Sequence, residues 1–291
     1  MDLSLIIMQL LSGIALGAVL VITALGLTIV FGMLGVVNFA HGALFMIGAY
    51  AGLYLASLTG SFWWGLLLAP ILIGAFGMLI EFVLIRRLYG RSIDDPLLLT
   101  FGLSLILVEG VKLVWGKIGL TLDPPRALAG AVNLGFMSFP AYRIFLIGVT
   151  VAVLIGLYFF LGRTNIGLII RAGSRDPLMV RALGIDLGSV WLVVFGIGTA
   201  LAGLAGILAG PMRGAYAEMG VTMVIESFVV IVVGGMGSLL GAVVAGLLIG
   251  QVVGLTTLFM PKAAEIMVFV VMAVVLLVRP SGLFGEAGLA E

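Results

Sequence analysis

The first part of the chain is a run of apolar positions that glycine interrupts but charge does not. No Asp, Glu, Lys or Arg occurs from Leu3 to Ile80. A helix needs about 20 apolar residues to cross a bilayer. The stretch therefore predicts three crossings joined by short turns, at residues 3–31, 36–58 and 62–85.

Long apolar stretches continue to the end of the chain, separated by short polar segments. The same length criterion predicts six more membrane segments, at 96–112, 144–162, 190–210, 223–235, 238–257 and 262–278. The predicted fold is an all-α polytopic transmembrane bundle with glycine-broken helices, forming one domain over residues 1–291. Nine crossings are expected, or eight if one segment is re-entrant.

The composition agrees with a membrane protein and excludes several function classes. The chain is 63% hydrophobic and carries 14 basic and 13 acidic residues, whereas roughly 25% of the residues in a soluble domain are charged. A net charge of +1 gives no field for holding nucleic acid. The absence of cysteine and the single His41 exclude a disulfide framework, a thiol nucleophile and a two-histidine metal site. No metal or cofactor is expected.

Basic residues cluster after three of the predicted segments. Because cytoplasmic loops retain Lys and Arg, these clusters place the N-terminus outside and the C-terminus inside the cell. The arginines concerned follow the third, fifth and last segments: Arg86, Arg87 and Arg91; Arg163, Arg171, Arg175 and Arg181; and Arg279.

Two polar side chains occur at expected membrane depth in the sequence GMLGVVNFAHGALFMIGAY, residues 32–50. Asn38 and His41 are flanked by Gly35 and Gly42, where a helix could be interrupted. Irregular backbone is tolerated in a membrane only inside protein or along a cavity. The break therefore either lines the route of a polar solute, or Asn38 and His41 only cap it and bond between helices.

A second break is predicted in VVGGMGSLLGAVVAGLLIG, residues 232–250. Gly234, Gly235 and Gly237 prevent a smooth helix through this segment. The pairs Gly237/Gly241 and Gly246/Gly250 have the spacing of close helix-packing motifs.

Two acidic residues near predicted segments need an explanation. Glu109 lies three residues before Lys112, which predicts an ion pair at the membrane interface. Glu226 lies near the start of its predicted segment, where an interfacial position costs little.

Residues 163–189 form the main polar segment, RTNIGLIIRAGSRDPLMVRALGIDLGS. Asp176 followed by Pro177 predicts a helix start, and Gly184 its end. A helix over 177–183 is too short to be stable alone, so its apolar face either lies on the membrane domain or docks on a soluble subunit. That face comprises Leu178, Met179, Ala182 and Leu183, and the arginines beside it suit an acidic partner or lipid phosphates.

Three motifs together resemble one transporter family. NFAHGALFMIGAY, RAGSRDPLMVRALGID and VVGGMGSLLGAVVAGLLIG are similar, in content and order, to segments of the branched-chain amino acid ABC permeases of the LivH type. The likeness extends over nearly the whole chain. The Glu-Ala-Ala of the general importer motif is absent here.

The resemblance implies a role for each part of the chain. It would form half of a translocation pathway in the bacterial inner membrane, with Asn38, His41, Gly42 and the three glycines of the second break on the pathway. Its partners would be a second homologous permease, two cytoplasmic ATPases and an extracytoplasmic solute-binding protein, with ATP hydrolysed by the partners. The resemblance assigns ATPase coupling to Arg171, Arg175, Asp176, Pro177, Arg181, Gly184 and Asp186.

Other functions remain open from the residues alone. An ion-coupled secondary transporter also uses broken helices, although it would normally need carboxylates well inside a span, and the sequence pattern suggests none. A passive channel or a structural subunit is a further alternative. Within the family, other amino acids, urea or short amides are alternative substrates.

Overall fold

The computed structural model describes residues 3–35, 37–92, 94–133, 135 and 137–285, and it is a bundle of α-helices. The helices are α1 Leu3–Leu34, α2 Ala40–Thr59, α3 Phe62–Val83, α4 Asp94–Trp115, α5 Ala141–Arg163, α6 Asn165–Arg175, α7 Pro177–Ala182, α8 Leu187–Arg213, α9 Met219–Gly234, α10 Leu239–Phe259 and α11 Ala264–Val278. Short 3₁₀ turns occur at Ile85–Leu88, Arg126–Leu128 and Pro261–Ala263.

Each of the nine predicted membrane segments corresponds to a helix, which confirms the all-α polytopic bundle. Within the described ranges, eight helices are long and apolar enough to cross a membrane. The ninth, α9, has 16 residues and rises about 24 Å at 1.5 Å per residue. It corresponds to the predicted segment 223–235, whereas the segment predicted at 238–257 forms the longer α10, with 21 residues.

The centre of the bundle is α1, because 83% of the residues in its apolar membrane-spanning stretch are buried. It packs closely against α10 through glycine. A Cβ added at Gly13 would lie 2.9 Å from the Gly250 carbonyl oxygen, and one at Gly17 would lie 2.9 Å from that of Gly246. This contact confirms the packing role predicted for Gly246 and Gly250, because small residues let helices in a membrane approach closely.

The outer helices expose apolar surface. Only 11% of the residues in the apolar membrane-spanning stretch are buried in α5, and the same share in α11. Leu277 on α11, for example, is 86% exposed. Surfaces of this kind are compatible with lipid or with another membrane subunit.

A small hairpin, which the sequence pattern did not suggest, precedes α5. Strands β1 Ala131–Asn133 and β2 Ser138–Pro140 pair antiparallel, with Val132 opposite Phe139. Nearby, Leu120 and Ala215 exchange two backbone hydrogen bonds of 2.8 Å, which join the segment after α4 to the segment after α8.

Candidate coupling segment and translocation site

The polar segment between α5 and α8 contains two helices, of which the sequence pattern predicts only the second. The additional helix, α6, begins at a Thr164 cap, whose hydroxyl accepts a hydrogen bond from Gly167 N at 3.0 Å. Its buried positions are Gly167, Ile170 and Gly173. A Cβ at Gly167 would lie 2.4 Å from the Phe160 carbonyl oxygen, so glycine lets α6 fold back tightly against the end of α5.

The second helix, α7, has the predicted boundaries to within one residue. Asp176 Oδ1 accepts a hydrogen bond from Met179 N at 2.9 Å, and Pro177 is the first helical residue. The helix ends at Ala182 with Leu183 as its C-cap, and Gly184 follows with φ +80°. That conformation favours glycine, as predicted for the residue after a helix end.

The apolar face of α7 points away from the rest of the chain. Leu178 is 76% exposed, Met179 58% and Leu183 72%. The residue that anchors the helix is Val180, which is buried. The predicted apolar face therefore does not lie on the chain's own membrane domain.

A buried ion pair lies where α3 meets the start of α8. The Glu81 side chain is fully buried, and Arg86 donates to it from Nε at 3.3 Å and from Nη2 at 3.2 Å. The Tyr89 hydroxyl donates to Glu81 Oε1 at 2.8 Å, and Arg86 Nη2 also donates to the Gly188 carbonyl at 3.0 Å. Burial and the hydrogen bond to Glu81 raise the pKa of Tyr89, so the phenol stays protonated as a donor.

An aromatic stack connects this ion pair to α7. The Tyr89 and Trp191 rings pack edge to face with centroids 4.5 Å apart. The Arg181 guanidinium lies 5.2 Å from the centroid of the Trp191 ring, within cation–π range. Arg181, assigned by resemblance to ATPase contact, thus also contacts the chain's own α8.

The other predicted coupling residues are exposed, but they differ in what they do. Asp186 caps α8: its Oδ2 accepts from the Ser189 hydroxyl at 2.6 Å and its Oδ1 from Gly188 N at 2.9 Å. These bonds hold the pKa of Asp186 below its usual range. Arg171 lines two cavities described below, and Arg175 is exposed at the end of α6.

The first predicted break lies between α1 and α2, with Gly35 at φ +62°. Phe39 N donates to the Thr100 hydroxyl at 3.2 Å, and that hydroxyl lies 3.3 Å from the Val37 carbonyl oxygen. A threonine of α4 thus satisfies backbone groups that the interruption frees.

Asn38 and His41 are both completely buried beside this break. His41 Nε2 lies 3.0 Å from the Thr23 carbonyl oxygen. A carbonyl can only accept, so Nε2 carries the proton and Nδ1 is an acceptor. Neither Nδ1 of His41 nor the side-chain amide of Asn38 has a hydrogen-bond partner within the described ranges, and leaving such buried groups unsatisfied is costly.

Gly42 does not interrupt a helix, so this part of the sequence interpretation was wrong. It lies inside α2, where an added Cβ would come within 2.0 Å of the Gly220 carbonyl oxygen on α9. Gly42 therefore permits close contact between α2 and α9. The break is confined to the residues before Ala40.

At the second break, Gly235 and Gly237 have φ values of +101° and +82°. The segment after α11 covers part of it: Leu283 N donates to the Val233 carbonyl at 2.8 Å and Phe284 N to that of Gly234 at 2.9 Å. Gly234 and Gly235 are buried, whereas Gly237 is exposed and lines a cavity. The three glycines thus have different surroundings.

The two acidic residues singled out in the sequence, Glu109 and Glu226, both lie within helices and near a basic side chain. Glu109 pairs with Lys112 at 3.0 Å, as predicted. Glu226 lies within α9, its side chain is only 19% exposed, and its Oε2 is 3.6 Å from Arg213 Nη1. Glu81 lies near the end of α3, whereas Glu226 lies midway along the short helix α9.

The fold is that of a polytopic membrane protein in which helix α7 carries exposed apolar side chains. The family model of the branched-chain amino acid transport system permease component matches residues 9–278. The chain belongs to this family, and it is an integral membrane permease component of the ABC importer class.

Several curated proteins are similar along the chain. The high-affinity branched-chain amino acid transport system permease protein BraD of Pseudomonas aeruginosa is 32% identical, and the match covers 96% of this chain and 95% of that protein. The corresponding LivH protein of Escherichia coli strain K12 is 30% identical over the same shares. The LivM permease protein of that strain is 28% identical, covering 79% of this chain and 59% of LivM.

Proposed function

We propose that this chain forms half of the translocation pathway of an ABC importer for branched-chain amino acids. The other half is a second permease, because the chain is similar both to LivH and, more distantly, to LivM. Two ATPase subunits supply the energy, and an extracytoplasmic binding protein delivers the substrate. The polar segment lies in the cytoplasm, which places the N-terminus outside and the C-terminus inside.

The observation that carries this proposal is the exposure of Leu178, Met179 and Leu183 on α7. Two large apolar side chains on a helix of only six residues and a third on its C-cap, with the helix held by the Asp176 cap and by Val180, suit docking into a groove on a protein partner. The docked partner is the ATPase.

The structure also suggests how movement of α7 reaches the membrane domain. Arg181 stacks on Trp191 of α8, and Trp191 stacks on Tyr89, which bonds to the buried Glu81 of α3. Because α3 and α8 pack through close glycine contacts such as Gly203 against Ile73, displacement of α7 would move them together. The break before α2 then acts as a hinge beside Asn38 and His41, whose unsatisfied polar atoms contact the substrate in the open pathway.

Copurification tests the assignment of partners. The chain is expressed with candidate ATPase, second permease and binding-protein chains, and is then isolated through its own tag. A stable complex with the ATPase supports the proposal, and a chain that purifies alone or only with copies of itself contradicts it.

A surface variant tests whether α7 is the docking site. Replacing Leu178, Met179 and Leu183 with Ser should abolish ATPase copurification without lowering the thermal stability of the membrane domain, because these side chains are already exposed. The matched control replaces Leu113 and Leu277, 87% and 86% exposed on other helices, with Ser. ATPase retention by the α7 variant would refute docking through this helix.

A further inference from the structure

Two adjoining cavities lie against α1, between α5, α6 and α10. The larger has a volume of about 440 Å³ and the smaller about 140 Å³. They share Leu161, Arg171 and Leu239 in their walls. The larger volume falls in the range of small-ligand sites, roughly 300–1,000 Å³.

The two cavities differ in chemistry. The larger is lined almost entirely by aliphatic side chains, including Leu25, Leu157 and Val243. The smaller carries two hydroxyl residues, Thr28 and Ser174.

The polar groups at the junction are available to a ligand. Thr28 is 2% exposed and its hydroxyl has no hydrogen-bond partner among the described residues. The Ser174 hydroxyl donates to the Arg171 carbonyl at 3.0 Å, which leaves its oxygen able to accept. Arg171 forms no ion pair within the part of the chain that the structure describes.

We propose that the joined cavities bind the branched-chain amino acid on its way through the permease. The carboxylate pairs with the Arg171 guanidinium, the ammonium donates to the hydroxyl oxygens of Thr28 and Ser174, and the aliphatic side chain occupies the larger cavity. This inference rests on the proposed substrate class. It assigns Arg171 to substrate binding, whereas the resemblance implies a role in ATPase coupling.

The position of the site would let a conformational change of the coupling segment control substrate release. Its walls include Gly32 near the end of α1, Gly237 at the second break and Ile170 on α6 of the coupling segment. A shift of α6 relative to Gly32 and Gly237 would change the shape of the smaller cavity. Movement of the coupling segment would thus release the substrate.

The lack of cysteine in the chain permits a direct test. Val243→Cys is introduced into the complete reconstituted importer, and the rate of modification by a water-soluble thiol reagent is measured. Leucine, isoleucine and valine should slow the modification, whereas lysine and glutamate should not. Leu277→Cys, on the exposed face of α11, is the control and should react at the same rate with every amino acid.

Arg171 variants then test the polar end of the site. Arg171→Gln should weaken leucine protection about tenfold, as expected for loss of a charge-assisted hydrogen bond. Arg171→Lys should keep most of the protection, and both variants should keep copurifying with the ATPase. Loss of ATPase binding in Arg171→Gln with normal leucine protection would return Arg171 to a coupling role and overturn the proposal.

The remaining outcomes separate the site from the proposed function. Wild-type leucine uptake with no protection of Val243→Cys refutes this site but not the importer. No uptake of any branched-chain amino acid refutes the proposed function itself. If the rate of Val243→Cys modification depends on the fraction of acidic phospholipid and not on leucine, the joined cavities bind lipid and the proposal is wrong.

Discussion

Removal of one partner of the buried ion pair should have very different effects depending on which partner is removed. Glu81 is fully buried, whereas the Arg86 side chain is 33% exposed and also bonds to the Gly188 carbonyl. Arg86→Met leaves a carboxylate in the bundle with Tyr89 as its remaining donor, and an uncompensated buried charge costs about 3–5 kcal/mol. Glu81→Leu leaves an arginine that still reaches water and a carbonyl, which costs about 1–3 kcal/mol.

The double variant makes this reasoning refutable. Replacing both partners with apolar residues of similar size is often close to neutral, so Glu81→Leu/Arg86→Met should be more stable than Arg86→Met alone. Unfolding of the full-length chain in mixed detergent micelles, followed by tryptophan fluorescence, gives the four free energies of the cycle. Equal costs for the two single changes, or strict additivity in the double, would show that the pair is not a coupled buried interaction.

Three further changes test other parts of the structure. Gly42→Ala should destabilise the chain by about 1–3 kcal/mol through overpacking against Gly220. Gly156→Ala, whose added Cβ would have none of the described atoms within 4 Å, should be neutral in the same unfolding assay; equal effects would contradict the α2–α9 contact. Gly184→Val should reduce uptake per ATP hydrolysed, because φ +80° disfavours a β-branched residue even though no described atom lies within 4 Å of an added Cβ. Gly184→Asn should retain coupling, and wild-type uptake with wild-type ATPase stimulation in the valine variant would refute this. Asn38→Ala and His41→Ala should lower the rate of uptake at wild-type expression, and unchanged uptake kinetics in both would remove these residues from the pathway.

Most of the helical architecture could be predicted, because a membrane segment is defined by the length of its apolar run. The α7 boundaries could also be predicted, since the Asp176 cap, Pro177 and Gly184 are local signals that need no tertiary contact. Helix α6 was missed because two of its three buried positions are Gly167 and Gly173, and glycine indicates a break when read alone. The Thr164 cap was the available signal.

The remaining features depend on contacts distant in sequence. Glu81 and Arg86 are five residues apart, a spacing that does not pair side chains on a regular helix; they meet because α3 ends at Val83 and the following 3₁₀ turn redirects the chain. Gly35 and Gly42 both flank the motif that contains Asn38 and His41, so the sequence alone does not distinguish their roles. Only the contact between α2 and α9 shows that Gly42 serves close packing, whereas Gly35 lies at the helix interruption. The cavities on α1 are formed by four helices that no local pattern places together.

The most direct test of the central claim is uptake of labelled leucine by proteoliposomes that contain this chain, the second permease, the two ATPases and the binding protein. Uptake should depend on ATP and on every component, and it should be lost when Leu178, Met179 and Leu183 are replaced with Ser. Leucine uptake by this chain alone, driven by an ion gradient without ATP, would contradict it.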